Sequence, residues 1–466
     1  MLRLLSCLLA LAAALTGCNA RLDPPEQRGQ LVVAVRDTPG YYQDDGDSSG
    51  RGFEHDLIEL FGHDLGVKTR FVVTRNHDQL LKLLRQGKVH FAAVSVITAS
   101  DVAPPDAADS LRYSSPLREV DQLLVQNTDD IALDDPGDLK GKTIEVLAGS
   151  PQEAALATMN GSPPLFKLAP RTGLTEVDLL ERVSERKSEL AATDASHFAI
   201  AQNYFPNLQE AQKLPGSVRF LWAFAGDADP ALFQRAQAFI ERIRNDGTLA
   251  RVNDRYFGHI RRLNHTGIRD FLERIGTLLP RFRPEFQAAQ EVTGIDWRLL
   301  AALAYQESGW DPLATSFTGV RGMMMLTDDT ADRMHVANRL DPKQSIRAGA
   351  KYLAELIDEL PANVKQPDRT WLGLAAYNLG QGHMNGARAI AAGLKRNPGS
   401  WFEMKKVLPL MARQKYYQRL KSGRARGGEA VIMVENVRSF YDILKRYEPP
   451  FQPDAYATPM VPIPPM

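Results

Sequence analysis

The spacing of apolar residues changes character once along this chain, near residue 265, and that change limits the possible folds more than any other feature. Up to about Phe257, short apolar runs alternate with helical patterns. Leu31-Val32-Val33-Ala34-Val35 predicts a buried strand, and Phe53, Leu57, Leu60, Phe61 and Leu65 then recur at helical spacing. A strand at Phe71 to Val73, a helix at Leu80 to Leu84 and strands at Phe91 to Ile97 and Gln122 to Gln126 follow. The pattern then starts again with Ile144 to Leu147, a helix from Glu153 and a helix around Val177 to Val183. Such alternation predicts an α/β unit with largely parallel sheets. Its double start predicts two lobes with a ligand cleft between them. From Ile268 to Tyr447 the periodicity is helical, with Gly294, Pro312, Pro342, Pro361 and Pro398 marking helix ends. That predicts a mainly α domain.

Composition enters where partners are concerned. The 466 residues hold 56 Lys plus Arg and 56 Asp plus Glu, so no net field draws in nucleic acid, and none is expected as a partner. The only cysteines, Cys7 and Cys18, lie in the first 18 residues, which leaves no thiol nucleophile or Cys-based metal site in the body. The nine histidines show no His-Glu-x-x-His or similar spacing, so no metal and no cofactor are expected. Arg3 precedes an apolar run, Leu4 to Leu15, that is too short for a membrane of about 30 Å. The run ends in Leu15-Thr16-Gly17-Cys18, which resembles the lipobox of bacterial lipoproteins. The resemblance implies removal of residues 1–17, lipid on Cys18 and, with Asn19 next to it, an outer-membrane anchor facing the periplasm. An ordinary secretory signal with an incidental cysteine is the plainer alternative. The expected order is a leader (1–17), a lipidated linker (18–28), an α/β domain (29–262), a helical domain (267–448) and a Pro-rich tail (449–466).

Within the α/β domain, Gly52-Phe53-Glu54-His55-Asp56-Leu57, Leu65-Gly66, Gly87 to Ala93 and Tyr113-Ser114-Ser115-Pro116-Leu117 resemble the periplasmic solute-binding proteins of the polar amino-acid class. The resemblance implies a two-lobed fold closing on a small ligand, here a muropeptide or an amino-acid-like molecule. Asp194, in Ala192-Thr193-Asp194, stands where the family binds the ligand's amino group. Thr98-Ala99-Ser100-Asp101 places an aspartate where the family has the arginine that clamps a carboxylate, so the ligand is not readable.

In the helical domain, Asp296 reads as the N-cap of a helix over Trp297 to Ser308, with Leu299, Leu300, Leu303 and Ala304 as its apolar stripe. Glu307 falls four residues after Leu303, on that same side. An unpaired buried carboxylate costs several kcal/mol, of order 3–5, unless it protonates. Burial raises its pKa toward what a general acid for glycosidic cleavage needs. Periodicity alone leaves open a structural glutamate paired with an arginine.

Four blocks bear on that choice: Gln306 to Pro312, Ala314-Thr315-Ser316, Gly319 to Thr327 and Ala375 to Gly382. In this order they resemble the soluble lytic transglycosylase domain, which has a lysozyme-like fold. With the solute-binding module and the lipobox, the chain resembles the membrane-bound lytic murein transglycosylase F family. The resemblance implies a substrate of peptidoglycan glycan strands. In it, Glu307 protonates the oxygen linking N-acetylmuramic acid to N-acetylglucosamine, then accepts the proton of the C6 hydroxyl that closes on C1 to give a 1,6-anhydro end. Ser308 and Ser316 are expected to orient Glu307 or the substrate's N-acetyl group; a helix cap or turn is the plainer role for either. Gly322, Met323, Met325, Tyr377 and Asn378 are expected to border the groove, although Met323 to Met325 suit adaptable packing equally well. Met325 stands where the family has a glutamine, and Met433 where it has a tyrosine approaching the acid; Tyr416 or Tyr417 could take that tyrosine's place. Two other readings remain. One is a catalytically weak receptor tethered to peptidoglycan; the other is a lysozyme-type hydrolase with Asp311 as second carboxylate. The basic patches Arg261-Arg262 and Lys421 to Arg426 read as solvated faces.

Overall fold

The computed structural model describes residues 21–44, 50–97, 111–133, 135–317 and 319–452. The chain divides into two compact units, the first ending at Gly258 and the second beginning at His259. Cys18, the Thr98–Asp101 segment and the tail from residue 453 lie outside the described residues.

Among the described residues the first unit holds nine strands. They are β1 (Gln30–Arg36), β2 (Lys68–Thr74), β3 (Phe91–Ile97), β4 (Leu111–Tyr113), β5 (Arg118–Asn127), β6 (Thr143–Leu147), β7 (Lys167–Arg171), β8 (Leu190–Asp194) and β9 (Leu208–Ala225). They form one sheet in the order β2-β1-β3-β9-β5-β8-β6-β7, with β4 beside β9. The first lobe is centred on β1, parallel to β2 and β3; the second is centred on β6, parallel to β7 and β8. The expectation of largely parallel sheets needs correcting at the seam. There β5 and β9 pair antiparallel with each other, with β3 and with β8. The chain crosses to the second lobe along β5 and returns along β9, and neighbouring strands carrying it out and back must run in opposite directions. A register shift between Asp121 and Gln122 marks the crossing.

Burial follows the strand period. Leu31, Val33 and Val35 pack with Phe53, Leu57, Phe61 and Trp222 on one face of β1, while Val32 and Ala34 pack with Leu80 and Leu84 on the other. Gly52 opens the helix Phe53–Leu65 at φ +140°, where any side chain would overlap the Tyr41 carbonyl. The expected linker is partly folded. The Leu22 amide donates to the Gly87 carbonyl, Pro25–Arg28 form a helical turn, and the His90 ring lies 2.9 Å from the Asp23 carbonyl.

The second unit is helical, and its only β pairings among the described residues are two isolated bridges, Thr315 with Arg321 and Arg321 with Leu326. The helix Trp297–Ser308 runs against the helices Arg283–Thr293 and Gly427–Tyr447. Every residue from Leu299 to Ala304 is buried, so this helix is enclosed on all sides rather than along one stripe. Pro342 starts a helix, Pro342–Asp358, rather than ending one. The first residues of the expected tail are docked: the Pro449 and Phe451 carbonyls accept from Trp297 Nε1 and Gln290 Nε2.

Candidate active site

The helix carrying Glu307 is fixed at both ends. The Asp296 carboxylate accepts from the Arg298 amide at 2.9 Å, and Gly309 closes the helix in the left-handed conformation. Arg274 holds the Gly309 carbonyl at 2.7 Å. Trp310 bends back so that its indole N–H donates to Ala301 O at 2.8 Å, and around that end Tyr305 meets Trp310 and Phe440 edge to face while Phe271 packs tilted against all three. Glu307 is therefore presented from a rigid support.

The loop after this helix is fastened from three sides. The Ser316 amide donates to the Val320 carbonyl, its carbonyl accepts from the Gly319 amide, and its hydroxyl accepts from the Val320 amide. Gly322, at φ +81°, donates to Ala314 O, and a methyl there would overlap the Arg339 carbonyl oxygen. Ser308 Oγ lies 2.8 Å from Met323 O, and the Tyr377 hydroxyl donates to Met324 O at 2.7 Å. Ser345 Oγ accepts from the Met324 amide, while Arg339 donates to Gly319 O and Leu326 O. Met323 and Met324 are fully buried, whereas Met325 is partly exposed at φ +47°, a conformation that costs a non-glycine residue about 1–2 kcal/mol.

Glu307 itself is partly buried and, among the described residues, has no hydrogen-bond or ion-pair partner. Burial alone pushes its carboxyl from 4.5 up to about 7, with no neighbouring charge contributing. The reading of a structural glutamate paired with an arginine has no counterpart here. Tyr377 lies close enough to feel it: burial first, then the Glu307 charge, raise the phenol well above its usual value. The Tyr352 ring is 5.4 Å from the Tyr377 ring.

The remaining expected residues fall in different places. Asn378 is exposed. Met433 is buried on the helix Gly427–Tyr447, and Tyr416 and Tyr417 sit on the short helix Gln414–Tyr417 without a bond to Glu307. Asp311 is exposed and accepts from the Leu313 amide in a turn. In the first unit Asp194 is buried. One carboxylate oxygen caps the helix Ala195–Gln202 through the Ser196 and His197 amides, and the other meets His197 Nδ1. The sequence carries no signal for Arg339, Ser345 or Tyr352: Arg339 sits in a loop without periodic signal, and the other two read as ordinary helix positions. Among the described residues, no three His, Cys, Asp or Glu side chains are placed to hold a metal, and no helix is long and apolar enough to cross a membrane.

Comparison with known proteins gives two family matches, "Bacterial extracellular solute-binding proteins, family 3" over residues 31–259 and "Transglycosylase SLT domain" over residues 284–398. The chain is 41% identical over 448 residues to the membrane-bound lytic murein transglycosylase F of Nitrosospira multiformis, covering 94% of this chain and 92% of the relative. It is 40% identical to the protein of that name from Thiobacillus denitrificans, covering 96% and 94%. A crystal structure of the substrate-binding protein of an amino acid ABC transporter superposes with a TM-score of 0.43 at 18% identity, over 49% of this chain and 99% of that one.

Proposed function

The chain belongs to the membrane-bound lytic murein transglycosylase F family, peptidoglycan-cleaving enzymes of the lyase type, and from that premise we propose that Glu307 is the sole acid–base residue of the cleavage. The supporting observation is a glutamate held at the end of an enclosed helix, with no partner among the described residues and a carboxyl raised to about 7 by burial. Near neutral pH such a group is divided between its acid and base forms, and the reaction needs both in turn.

In the first step the Glu307 carboxyl gives its proton to the glycosidic oxygen between N-acetylmuramic acid and N-acetylglucosamine, and the C1–O bond breaks. In the second the C6 hydroxyl of the muramyl sugar attacks C1, and its proton returns to the Glu307 carboxylate. The product is a 1,6-anhydromuramyl end, and no water is consumed. Attack from within the same sugar outruns water because the hydroxyl is already in place. A hydrolase needs a second carboxylate across the sugar; Asp311, exposed and tied into its own turn, is poorly suited to that role.

Ser308, Gly322, Met323 and Tyr377 serve this reading by holding the loop beside Glu307, with Ser316, Met325 and Asn378 bordering the sugar groove. The first unit is read as a regulatory module that closes on a small ligand, with Asp194 in its cleft, and Cys18 as the lipidated anchor of the chain at the periplasmic face of the outer membrane. The test is digestion of purified peptidoglycan by the mature protein and by Glu307→Gln, with soluble products identified by mass spectrometry. Anhydromuropeptides from the wild type alone are expected. Reducing-end products would replace this reading with a hydrolase, and substrate retention without release with a tethered receptor.

A further inference from the structure

The stretch that precedes β1 is fastened to the first unit from Arg21 onward. Arg21 pairs with Asp227, its Nε donating at 2.8 Å, and its side chain lies across Gly87, where a methyl would come within 2.7 Å of Arg21 Cγ. The Leu22 amide donates to Gly87 O at 3.2 Å, and the Leu22 side chain packs on the core that holds Leu80, Leu84 and Val89. His90 Nδ1 accepts from the Val32 amide, so Nε2 carries the ring proton and donates to the Asp23 carbonyl at 2.9 Å. Pro25 is buried, and Glu26 pairs with Arg235. A segment held at Arg21, Leu22, Asp23, Pro25 and Glu26 belongs to the domain and is no free tether.

The free length left between this segment and Cys18 is short. Cys18 and Arg21 are three positions apart, a span of about 11 Å at most for an extended chain. Arg21, and with it the Gly87 turn, cannot move further than that from the residue read as carrying the lipid. The surface around this turn is basic. Lys82 and Arg85 lie in the last turn of the helix His77–Arg85, Lys88 follows Gly87, and Arg28 ends the helical turn Pro25–Arg28. All four are exposed, and their side chains have no hydrogen-bond or ion-pair partner among the described residues. Of the acids on this segment and in contact with it, Asp227 and Glu26 are taken by Arg21 and Arg235, which leaves Asp23; Asp78 stands at the opposite end of the helix. In a chain whose charges balance overall, four unpaired cations against one unpaired acid make a local positive field.

We propose that this face of the first unit, formed by the Gly87 turn with Arg28, Lys82, Arg85 and Lys88, rests on the anionic phospholipid surface that anchors Cys18. The proposal rests on the reading of Cys18 as lipidated and deepens it by naming the surface that meets the membrane. The anchor sets the distance. The four cations set the orientation, because anionic headgroups attract basic side chains within a Debye length of about 8 Å, which the short tether keeps within reach.

The test uses the full mature protein in vesicles of phosphatidylethanolamine and phosphatidylglycerol that carry a nitroxide quencher on the headgroup. Cys18 is the only cysteine after residue 7 and its sulfur would be taken by the lipid, so a fluorophore can be attached at Gln86→Cys beside the Gly87 turn, or at Lys167→Cys on β7. β7 lies five strands from β3, about 24 Å across the sheet. Quenching at Gln86→Cys is expected to exceed that at Lys167→Cys at least about threefold, and the combined Lys82→Glu, Arg85→Glu and Lys88→Glu variant to lower it by about half or more. Melting curves confirm that each variant is folded. Equal quenching at the two positions, stronger quenching at Lys167→Cys, or quenching at Gln86→Cys that survives the charge reversal overturns the proposal. Mass spectrometry of the same protein reads the anchor separately. Cys18 without lipid refutes the anchor on which the proposal stands, whereas lipid on Cys18 with equal quenching refutes the membrane-facing surface alone.

Discussion

Replacing Glu307, the proposed acid–base residue, with glutamine also removes a titration, and that titration has a calculable effect on stability. The carboxyl ionises at about 7 in the folded protein against 4.5 for the free group. Each tenfold shift is worth 1.36 kcal/mol, so the ionised carboxylate destabilises the fold by about 3 kcal/mol, or roughly 1–3 once its partial exposure to solvent is allowed for. The sign follows from which state holds the proton. Below pH 4.5 both states are protonated and the wild type loses nothing. Between 4.5 and 7 the unfolded chain releases the proton while the folded one keeps it, so wild-type stability falls as pH rises; above 7 the loss is complete. Glutamine cannot titrate, so the difference in melting temperature, Glu307→Gln minus wild type, should rise from pH 4 to pH 8 and then level off. At about 2–4 °C per kcal/mol for a unit of this size, the rise is about 2–12 °C. Tryptophan fluorescence follows the right unit, because Trp297, Trp310, Trp371 and Trp401 lie in the second and only Trp222 in the first. A difference that stays flat, or falls with pH, would refute the claim that Glu307 is buried without a counter-charge.

Two further substitutions probe the loop beside Glu307. Gly322→Ala sets a methyl against the Arg339 carbonyl at a positive φ, so peptidoglycan cleavage should drop at least about tenfold while the melting temperature falls by a few degrees; wild-type cleavage would show that the loop shifts without consequence. Tyr377→Phe deletes the hydroxyl that donates to Met324 O and should cost about 1–3 kcal/mol in denaturant unfolding, with slower muropeptide release; an unchanged midpoint would mean that water replaces the hydroxyl.

The local signals in the sequence were strong where backbone and side chain agree. Asp296, the apolar run and Gly309 each mark the helix Trp297–Ser308 independently, and its bounds are those expected. Leu31 to Val35 read as a buried strand because both faces of β1 are covered. β9 is not legible in the sequence because Leu214-Pro215-Gly216 interrupts it and its first half is polar, a pattern that suggests a loop; pairing with β5 keeps the strand going through the break. Side-chain roles were harder still to read. Ser308 reaches a carbonyl fifteen residues away, and the contact of Arg339 with Gly319 and Leu326 depends on a fold that no local period encodes.

What separates Glu307 and Glu54 from the other buried glutamates is the company they keep. Glu145 is buried yet held between Arg171 and Arg182, which lower its pKa against the effect of burial. Glu435 is buried but bonded to Trp401 and Arg438, and burial is outweighed by Arg438 and Lys405. Glu448 is buried and paired with Arg283. In each case the fold supplies the counter-charge, as burial of an ion requires. Glu307 and Glu54 are enclosed as well, but neither has a partner among the described residues, and both are raised to about 7. A fold that neutralises its other buried glutamates leaves these two carboxyls without a bonded partner among the described residues. For Glu307 the proposed partner is the glycosidic oxygen of the substrate.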